Sequence, residues 1–145
     1  MIANISKDFA FSASHQLEGL PEDHQCSRLH GHNYIFRISV TGEVRAPGFV
    51  VDYAELKPIK EWIDQHLDHR HLNDVFDFNP TAENMAGHVA DMVAQRLAKA
   101  GYRNVIDVTV AVSETPKTWA TVHAQESWLK PHRDQMIGNG TWWQG

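Results

Sequence analysis

The chain has 145 residues, a formal net charge of −5 and a single cysteine. This length fits one compact domain with a buried core, and the acidic balance disfavours nucleic acid or an anionic membrane as a partner. One cysteine excludes an internal disulfide, and no signal-peptide pattern or roughly 20-residue apolar span is present, so we expect a cytoplasmic protein without a membrane segment.

Two strands are predicted near the N-terminus, over residues 2–16 and 31–43, where apolar and polar side chains alternate. His30 and His32 are two positions apart, so on a strand they face the same side. Pairing the two strands as a hairpin brings His15 towards both imidazoles. Three neutral imidazoles are a common zinc-ligand set that leaves a fourth position open for water or substrate, and the alternative is a group of hydrogen-bonded structural histidines.

Two helices follow. The first is predicted from Tyr53 to Leu67 after a candidate cap at Asp52, although Pro58 fits only the first turn of a helix and makes the start uncertain. The second begins with Thr81 as its N-cap and ends at Gly101.

Two more strands are predicted over residues 104–114 and 118–126. The order β-β-α-α-β-β indicates an α+β fold, with a four-stranded antiparallel sheet covered on one face by two helices. We therefore expect a single domain over residues 1–126. Residues 127–145 contain three tryptophans and are expected to be a tail that docks on the domain or on a neighbouring subunit.

Cys26 allows two interpretations. As a fourth ligand beside the histidines it would close a structural zinc site, whereas as an unligated thiol beside the ion it would act as a base or nucleophile. A domain of this size does not need zinc to fold, which favours the second interpretation.

Two carboxylates are further candidates for functional residues. Asp68 precedes His69 in a polar loop, where it either orients the imidazole for proton transfer or forms an ordinary solvated pair. Glu114 ends the apolar row of its strand and needs a donor partner. That partner is either a ligand with two parallel N–H groups or a cation such as Lys117.

The motifs together resemble the 6-pyruvoyltetrahydropterin synthase family, and within it the 6-carboxytetrahydropterin synthase branch of queuosine biosynthesis. The resemblance covers roughly residues 5–126 and rests on Phe9-x-Phe-x-Ala-Ser-His15, Cys26-x-x-x-His30-Gly-His32-Asn-Tyr, Val51-Asp-Tyr-Ala-Glu-Leu-Lys57, Leu67-Asp-His69 with Leu72-Asn, Asn79-Pro-Thr-Ala-Glu83-Asn and Ser113-Glu-Thr115.

This resemblance implies a tunnelling fold (T-fold) whose subunits assemble as a homohexamer, a dimer of trimers, with active sites where subunits meet. It implies the following site residues: the zinc ligands His15, His30 and His32, the catalytic residues Cys26, Asp68 and His69, and the pterin-binding residues Glu114 and Thr81.

The implied reaction converts 7,8-dihydroneopterin triphosphate into 6-carboxy-5,6,7,8-tetrahydropterin, with release of triphosphate and acetaldehyde. The three residues between Cys26 and His30 favour this carbon–carbon lyase over the pyruvoyl synthase branch, which is the main alternative. A non-catalytic zinc or pterin-binding module is a further alternative. Arg28 or Lys117 is a candidate to meet the triphosphate.

Departures from the family pattern are Pro58, His123 at a position where relatives often have an aromatic residue, and the tryptophan-rich tail.

Overall fold

A computed structural model of the protein describes residues 1–125. The strands are β1 (Ile2–His15), β2 (His30–Glu43), β3 (Arg70–His71), β4 (Val105–Ser113) and β5 (Ala120–His123), and the helices are α1 (Lys57–His66), α2 (Leu72–Val75) and α3 (Ala82–Lys99). The predicted tail and the end of the predicted domain at residue 126 lie outside the described residues. No helix in the described part is long and apolar enough to cross a membrane.

The strands form one sheet in the order β3-β1-β2-β4-β5. The four longer strands pair antiparallel, as predicted. The sheet differs from the prediction by a fifth, two-residue strand, β3, which pairs parallel to β1. Two residues are too few to show a period of two, so the alternation of side chains gives no signal for this strand.

One face of the sheet is apolar and covered by helices. Alternate positions of β1, β2 and β4 are buried, α3 contacts β4 and β5, and α1 contacts β1. The shared core includes Phe36, Ile63 and Met85. The predicted α+β architecture is confirmed, because the two long helices, α1 and α3, bury their apolar stripes against this single face, whereas the four-residue helix α2 was not predicted.

The start of the first helix is resolved by its local geometry. Residues Tyr53–Leu56 form a 3-10 turn, in which the side chain of Asp52 accepts a hydrogen bond from the backbone N–H of Ala54 at 2.9 Å. The α-helix begins only at Lys57, which places Pro58 in its first turn, where a missing N–H leaves no bond unmade.

The last predicted strand is shorter than expected, since β5 covers residues 120–123 rather than 118–126. Residues 115–118 instead form a turn, in which Thr118 donates its backbone N–H to the carbonyl of Thr115 at 3.2 Å. β2 also begins one residue earlier than predicted, because His30 pairs with His15.

Candidate metal centre and active site

The three histidines predicted as metal ligands lie together at one end of the β1–β2 hairpin. The register pairs His15 directly with His30, and His32 follows two residues later on the same face. One ring nitrogen from each of the three lies within 4.8 Å of the others. This is the size of a site in which three imidazoles bind one ion.

The hydrogen bonds of two of these rings fix which nitrogen carries the proton. His15 Nδ1 lies 2.9 Å from the carbonyl of Pro80, and His30 Nδ1 lies 2.7 Å from the carbonyl of Arg28. Because a carbonyl can only accept, both Nδ1 atoms are protonated, and both Nε2 atoms present lone pairs when the rings are neutral. These Nε2 atoms lie 2.9 Å apart. Two lone pairs this close repel each other unless a proton or a metal ion lies between them.

His32 completes this arrangement. Its Nε2 is buried and has no hydrogen-bond partner among the described residues. The nearest carboxylate oxygen, Oε2 of Glu114, lies 3.6 Å away, which is too long for a hydrogen bond. An orphaned buried nitrogen costs free energy unless something binds it. The residues present therefore fit a metal ion held through three Nε2 atoms.

The electrostatics keep two of the ligands in the form that binds metals. Burial lowers the pKa of His15, although its hydrogen bond to Pro80 works in the opposite direction. Burial also lowers the pKa of His32, against the attraction of the Glu114 carboxylate. Since only the neutral imidazole offers a lone pair, these lowered pKa values favour metal binding near neutral pH.

Cys26 does not belong to the metal cluster in the described part of the chain. It lies in a short 3-10 turn, Gln25–Ser27, and is half-buried. Its backbone N–H donates to Nδ1 of His24 at 3.1 Å, and its carbonyl accepts the N–H of Leu17 at 3.0 Å. The second bond holds Cys26 beside a residue only two positions beyond His15.

Asp68 and His69 lie in contact, and His69 borders the same cavity as the metal ligand His32. The Asp68 carboxylate accepts a hydrogen bond from the backbone N–H of Ser12 at 3.0 Å, and its Oδ1 also lies 3.0 Å from Nδ1 of His69. The first bond is the main reason that the pKa of Asp68 lies below its ordinary value. The His69 side chain is 82% exposed. It lines a cavity of about 500 Å³ that His32 also lines.

The backbone explains how this pair is placed. His69 has a positive φ of 58°, a conformation that residues other than glycine adopt rarely. Its N–H donates to the carbonyl of Ser12 at 2.6 Å. The chain then enters β3 and pairs with β1, so the strained residue is held on both sides by bonds to the strand that carries His15.

Glu114 lies where two cavities meet. One, of about 720 Å³, is lined by Glu114, His32 and Asp68 among others. The other, of about 220 Å³, is lined by Glu114, Thr81 and Leu17 among others. Within residues 1–125, the basic side chain within 4 Å of the Glu114 carboxylate is the imidazole of His32, and not Lys117 or an arginine.

Thr81 is the N-cap of α3, as predicted. Its hydroxyl oxygen accepts the backbone N–H of Asn84 at 3.1 Å. The same residue therefore caps the start of α3 and lines the cavity that Glu114 also lines.

Four residues near the site were not assigned a role by the sequence analysis. They are Tyr34, whose hydroxyl lies 3.1 Å from His15 Nδ1, Pro80, whose carbonyl binds the same atom, and Asn73 and Asn79, which bond to the backbone just after His15. All four belong to motifs quoted above or adjoin them. Their contacts join residues far apart in the sequence, and periodicity does not report such contacts.

The chain is similar to known proteins over most of its length. A family model described as 6-pyruvoyl tetrahydropterin synthase matches residues 4–125. A Bacillus subtilis protein named 6-carboxy-5,6,7,8-tetrahydropterin synthase is 32% identical over 135 residues, covering 86% of this chain and 88% of that protein. A Pyrococcus furiosus protein named dihydroneopterin monophosphate aldolase is 33% identical over 97 residues, covering 67% of this chain and 80% of that protein.

A solved structure gives the same fold. The 6-pyruvoyl tetrahydropterin synthase of Caenorhabditis elegans superposes with a TM-score of 0.65 at 29% sequence identity, covering 86% of this chain and 97% of that one. The expected T-fold is thereby confirmed. The chain belongs to the 6-pyruvoyl tetrahydropterin synthase family of pterin-converting enzymes.

Proposed function

We propose that the protein is a zinc-dependent lyase that converts 7,8-dihydroneopterin triphosphate and water into 6-carboxy-5,6,7,8-tetrahydropterin, acetaldehyde and triphosphate, in the biosynthesis of queuosine and other 7-deazapurines. The observation that carries this proposal is the cluster of three histidines with Glu114 beside it. The cluster supplies a metal site, and the carboxylate supplies an acceptor for the two parallel N–H groups of a pterin edge.

Zinc is the proposed metal, and His15, His30 and His32 would hold it. When bound, it polarises the side-chain hydroxyls of the substrate and makes the neighbouring C–H bonds more acidic. Iron or nickel would also accept three imidazoles, but the chemistry needs no change of oxidation state.

Two groups of the protein are proposed to move protons. Cys26 takes or returns a proton at the first side-chain carbon, and His69, oriented by Asp68, acts on the opposite face. The 3.0 Å contact between the Asp68 carboxylate and His69 Nδ1 supports the second role. The exposure of the His69 side chain is compatible with service to a site completed by another subunit. We accordingly propose a homohexamer, with the catalytic unit in residues 1–126.

The pterin is proposed to lie against Glu114 and Thr81. Both line the cavity of about 220 Å³, so one ligand can contact both. The position of Glu114 between this cavity and the larger one that His32 lines would place the pterin side chain towards the metal.

Two related reactions are alternatives. A pyruvoyl synthase would eliminate triphosphate without releasing acetaldehyde. An aldolase, the activity named for the Pyrococcus furiosus relative, would cleave the side chain to a hydroxymethyl product. The short spacing between Cys26 and His30 favours the carboxy reaction over the pyruvoyl reaction. A thiol rather than a carboxylate at position 26 favours it over the aldolase reaction.

The deciding experiment is product identification. The purified, zinc-loaded protein is incubated with dihydroneopterin triphosphate, and pterins and acetaldehyde are measured by mass spectrometry and a coupled dehydrogenase assay. We expect a carboxypterin and acetaldehyde in equal amounts. A pyruvoyl or hydroxymethyl product selects one of the other two reactions.

Cys26→Ala tests the role of the thiol. A catalytic cysteine predicts retained zinc and lost turnover. Lost zinc together with unfolding would instead indicate a closed structural site in which Cys26 is the fourth ligand.

A further inference from the structure

Residues 16–18 follow directly after the metal ligand His15. On one side they form hydrogen bonds with asparagine side chains, and on the other side with backbone carbonyls of the segment that carries Cys26. They leave the sheet at the point where β1 ends. Their hydrogen bonds connect four separate parts of the chain, so they are a junction of the candidate site.

On one side, two asparagines act as strand partners. Asn73 accepts the backbone N–H of Gln16 through Oδ1 at 2.9 Å and donates Nδ2 to the carbonyl of the same residue at 2.7 Å. Asn79 makes the same two bonds with Glu18, each at 3.0 Å. Each carboxamide thus satisfies both backbone groups of one residue, as a neighbouring strand would.

On the other side lies the segment that carries the cysteine. The N–H of Leu17 donates to the carbonyl of Cys26 at 3.0 Å. The side-chain amide of Gln16 donates to the carbonyl of Ser27 at 2.8 Å. Residues 16 and 17 therefore hold the turn Gln25–Ser27 against the end of β1.

The turn is held together by its own hydrogen bonds, so its position relative to β1 depends on these attachments. Ser27 donates its hydroxyl to the carbonyls of Glu22 and His24, and the N–H of Cys26 donates to the His24 ring. Residues 22–27 are thus joined by their own hydrogen bonds, and residues 16 and 17 attach this segment to the end of β1.

Asn79 connects the same junction to the metal site. Its backbone carbonyl accepts Nδ2 of Asn84 at 2.9 Å, at the start of α3. The next residue, Pro80, accepts the proton of His15 Nδ1. One short segment therefore orients a metal ligand through its backbone and residue 18 through its side chain.

We propose that Asn73 and Asn79 are positioning residues that fix the Cys26 thiol relative to the metal site by holding residues 16–18. They touch neither substrate nor metal in this role. The inference rests on the proposed catalytic function of Cys26, although it is tested by a measurement that needs no turnover.

Because Cys26 is the only cysteine in the chain, its rate of alkylation by iodoacetamide reports the position of this thiol alone. In Asn73→Ala and Asn79→Ala we expect alkylation to be faster by about fivefold or more, the ratio that corresponds to the loss of about 1 kcal/mol of hydrogen bonding. We expect kcat to fall roughly tenfold or more because the thiol is misplaced, with KM little changed. Zinc affinity, measured by chelator competition, should stay within about threefold, since Pro80 still orients His15.

Asn104→Ala is the matched control. Asn104 is also an asparagine whose amide donates to two backbone carbonyls, those of Glu43 and Val50, but it lies away from this junction. It should lower the free energy of unfolding without changing the alkylation rate. If it fails to fold, Asn4→Ala, at the opposite end of β1, replaces it.

An unchanged alkylation rate in both variants would overturn the proposal. So would a parallel loss of zinc affinity, because the asparagines would then support the whole site rather than the thiol. Asn73→Asp and Asn79→Asp, which keep the acceptor and lose the donor, should give the same result where the alanine variants are unstable. If Cys26→Ala retains full turnover, the catalytic role of the thiol fails, while the alkylation result still decides what the asparagines do.

Discussion

His15 and His30 face each other across the end of the β1–β2 hairpin with their Nε2 atoms 2.9 Å apart. Both rings donate their Nδ1 protons to backbone carbonyls, so a cation between the Nε2 atoms removes a repulsion that the neutral rings otherwise retain. Metal binding should therefore stabilise the fold. At a free zinc concentration 100 times its Kd, the gain in the free energy of unfolding is about 2.7 kcal/mol.

The measurement is chemical denaturation of the metal-free protein with and without zinc. His15→Ala should abolish the zinc-dependent gain, whatever its effect on the metal-free fold. The control is His66→Ala, which removes an exposed histidine from the last turn of α1. Stabilisation that persists in His15→Ala would show that zinc binds elsewhere.

The pH dependence of metal binding follows from the lowered pKa values of His15 and His32. Both rings lose their protons at a lower pH than an exposed histidine, whose pKa is about 6.5. Protons on these two ligands should therefore not weaken zinc binding until the pH falls below about 6.5. Titrations at several pH values test this, and a steep loss of affinity already between about pH 7.5 and 6.5 would contradict it.

The same shifts affect the metal-free fold. Below about pH 6.5 the unfolded chain binds protons on these histidines that the folded chain does not, so the free energy of unfolding should fall as the pH falls towards the folded pKa values. If the free energy of unfolding of the metal-free protein instead rises on mild acidification, other titrating groups dominate its pH dependence.

Tyr34 should act on the metal through His15. The ring is fully buried, stacks on Phe11 with centroids 5.0 Å apart, and places its hydroxyl 3.1 Å from His15 Nδ1. Because the Nδ1 proton is already donated to Pro80, the phenol oxygen shares it as a second acceptor and helps to fix the ring plane. Tyr34→Phe keeps the stacking and should weaken zinc binding by about tenfold.

Tyr102→Phe is the control for this variant. It removes a phenol that donates to Glu55 at 3.0 Å, away from the three histidines. Chelator competition compares the two proteins, and equal affinities would show that Pro80 alone orients His15.

The predictions from the sequence succeeded where a pattern extends over several residues. The alternation in β1 and β2 placed His15, His30 and His32 on one face, and the register confirms it. The N-cap at Thr81 was also predicted, since a threonine before an amphipathic run is a local signal.

The sequence could not predict contacts that depend on tertiary structure. The strand at Arg70–His71 directly follows His69, whose positive φ turns the chain back onto β1. The bonds from Asn73 and Asn79 to the backbone after His15 join residues more than 50 positions apart, and no periodicity encodes them. In the sequence, a polar residue in a short loop gives the same pattern whether it is solvated or forms hydrogen bonds with a distant strand.

Thr81 combines a structural and a proposed binding role, which substitutions can separate. Its hydroxyl caps α3 by accepting the N–H of Asn84, and losing such a cap costs about 1 kcal/mol in the free energy of unfolding. Thr81→Ala should therefore lower stability by about that amount and, if the residue also contacts the pterin in the cavity that Glu114 lines, raise the KM for the pterin substrate. Thr81→Ser keeps the hydroxyl and should restore both. Denaturation and steady-state kinetics measure the two effects independently. A KM that stays unchanged in Thr81→Ala while stability falls would leave the residue with its capping role and remove it from the pterin site.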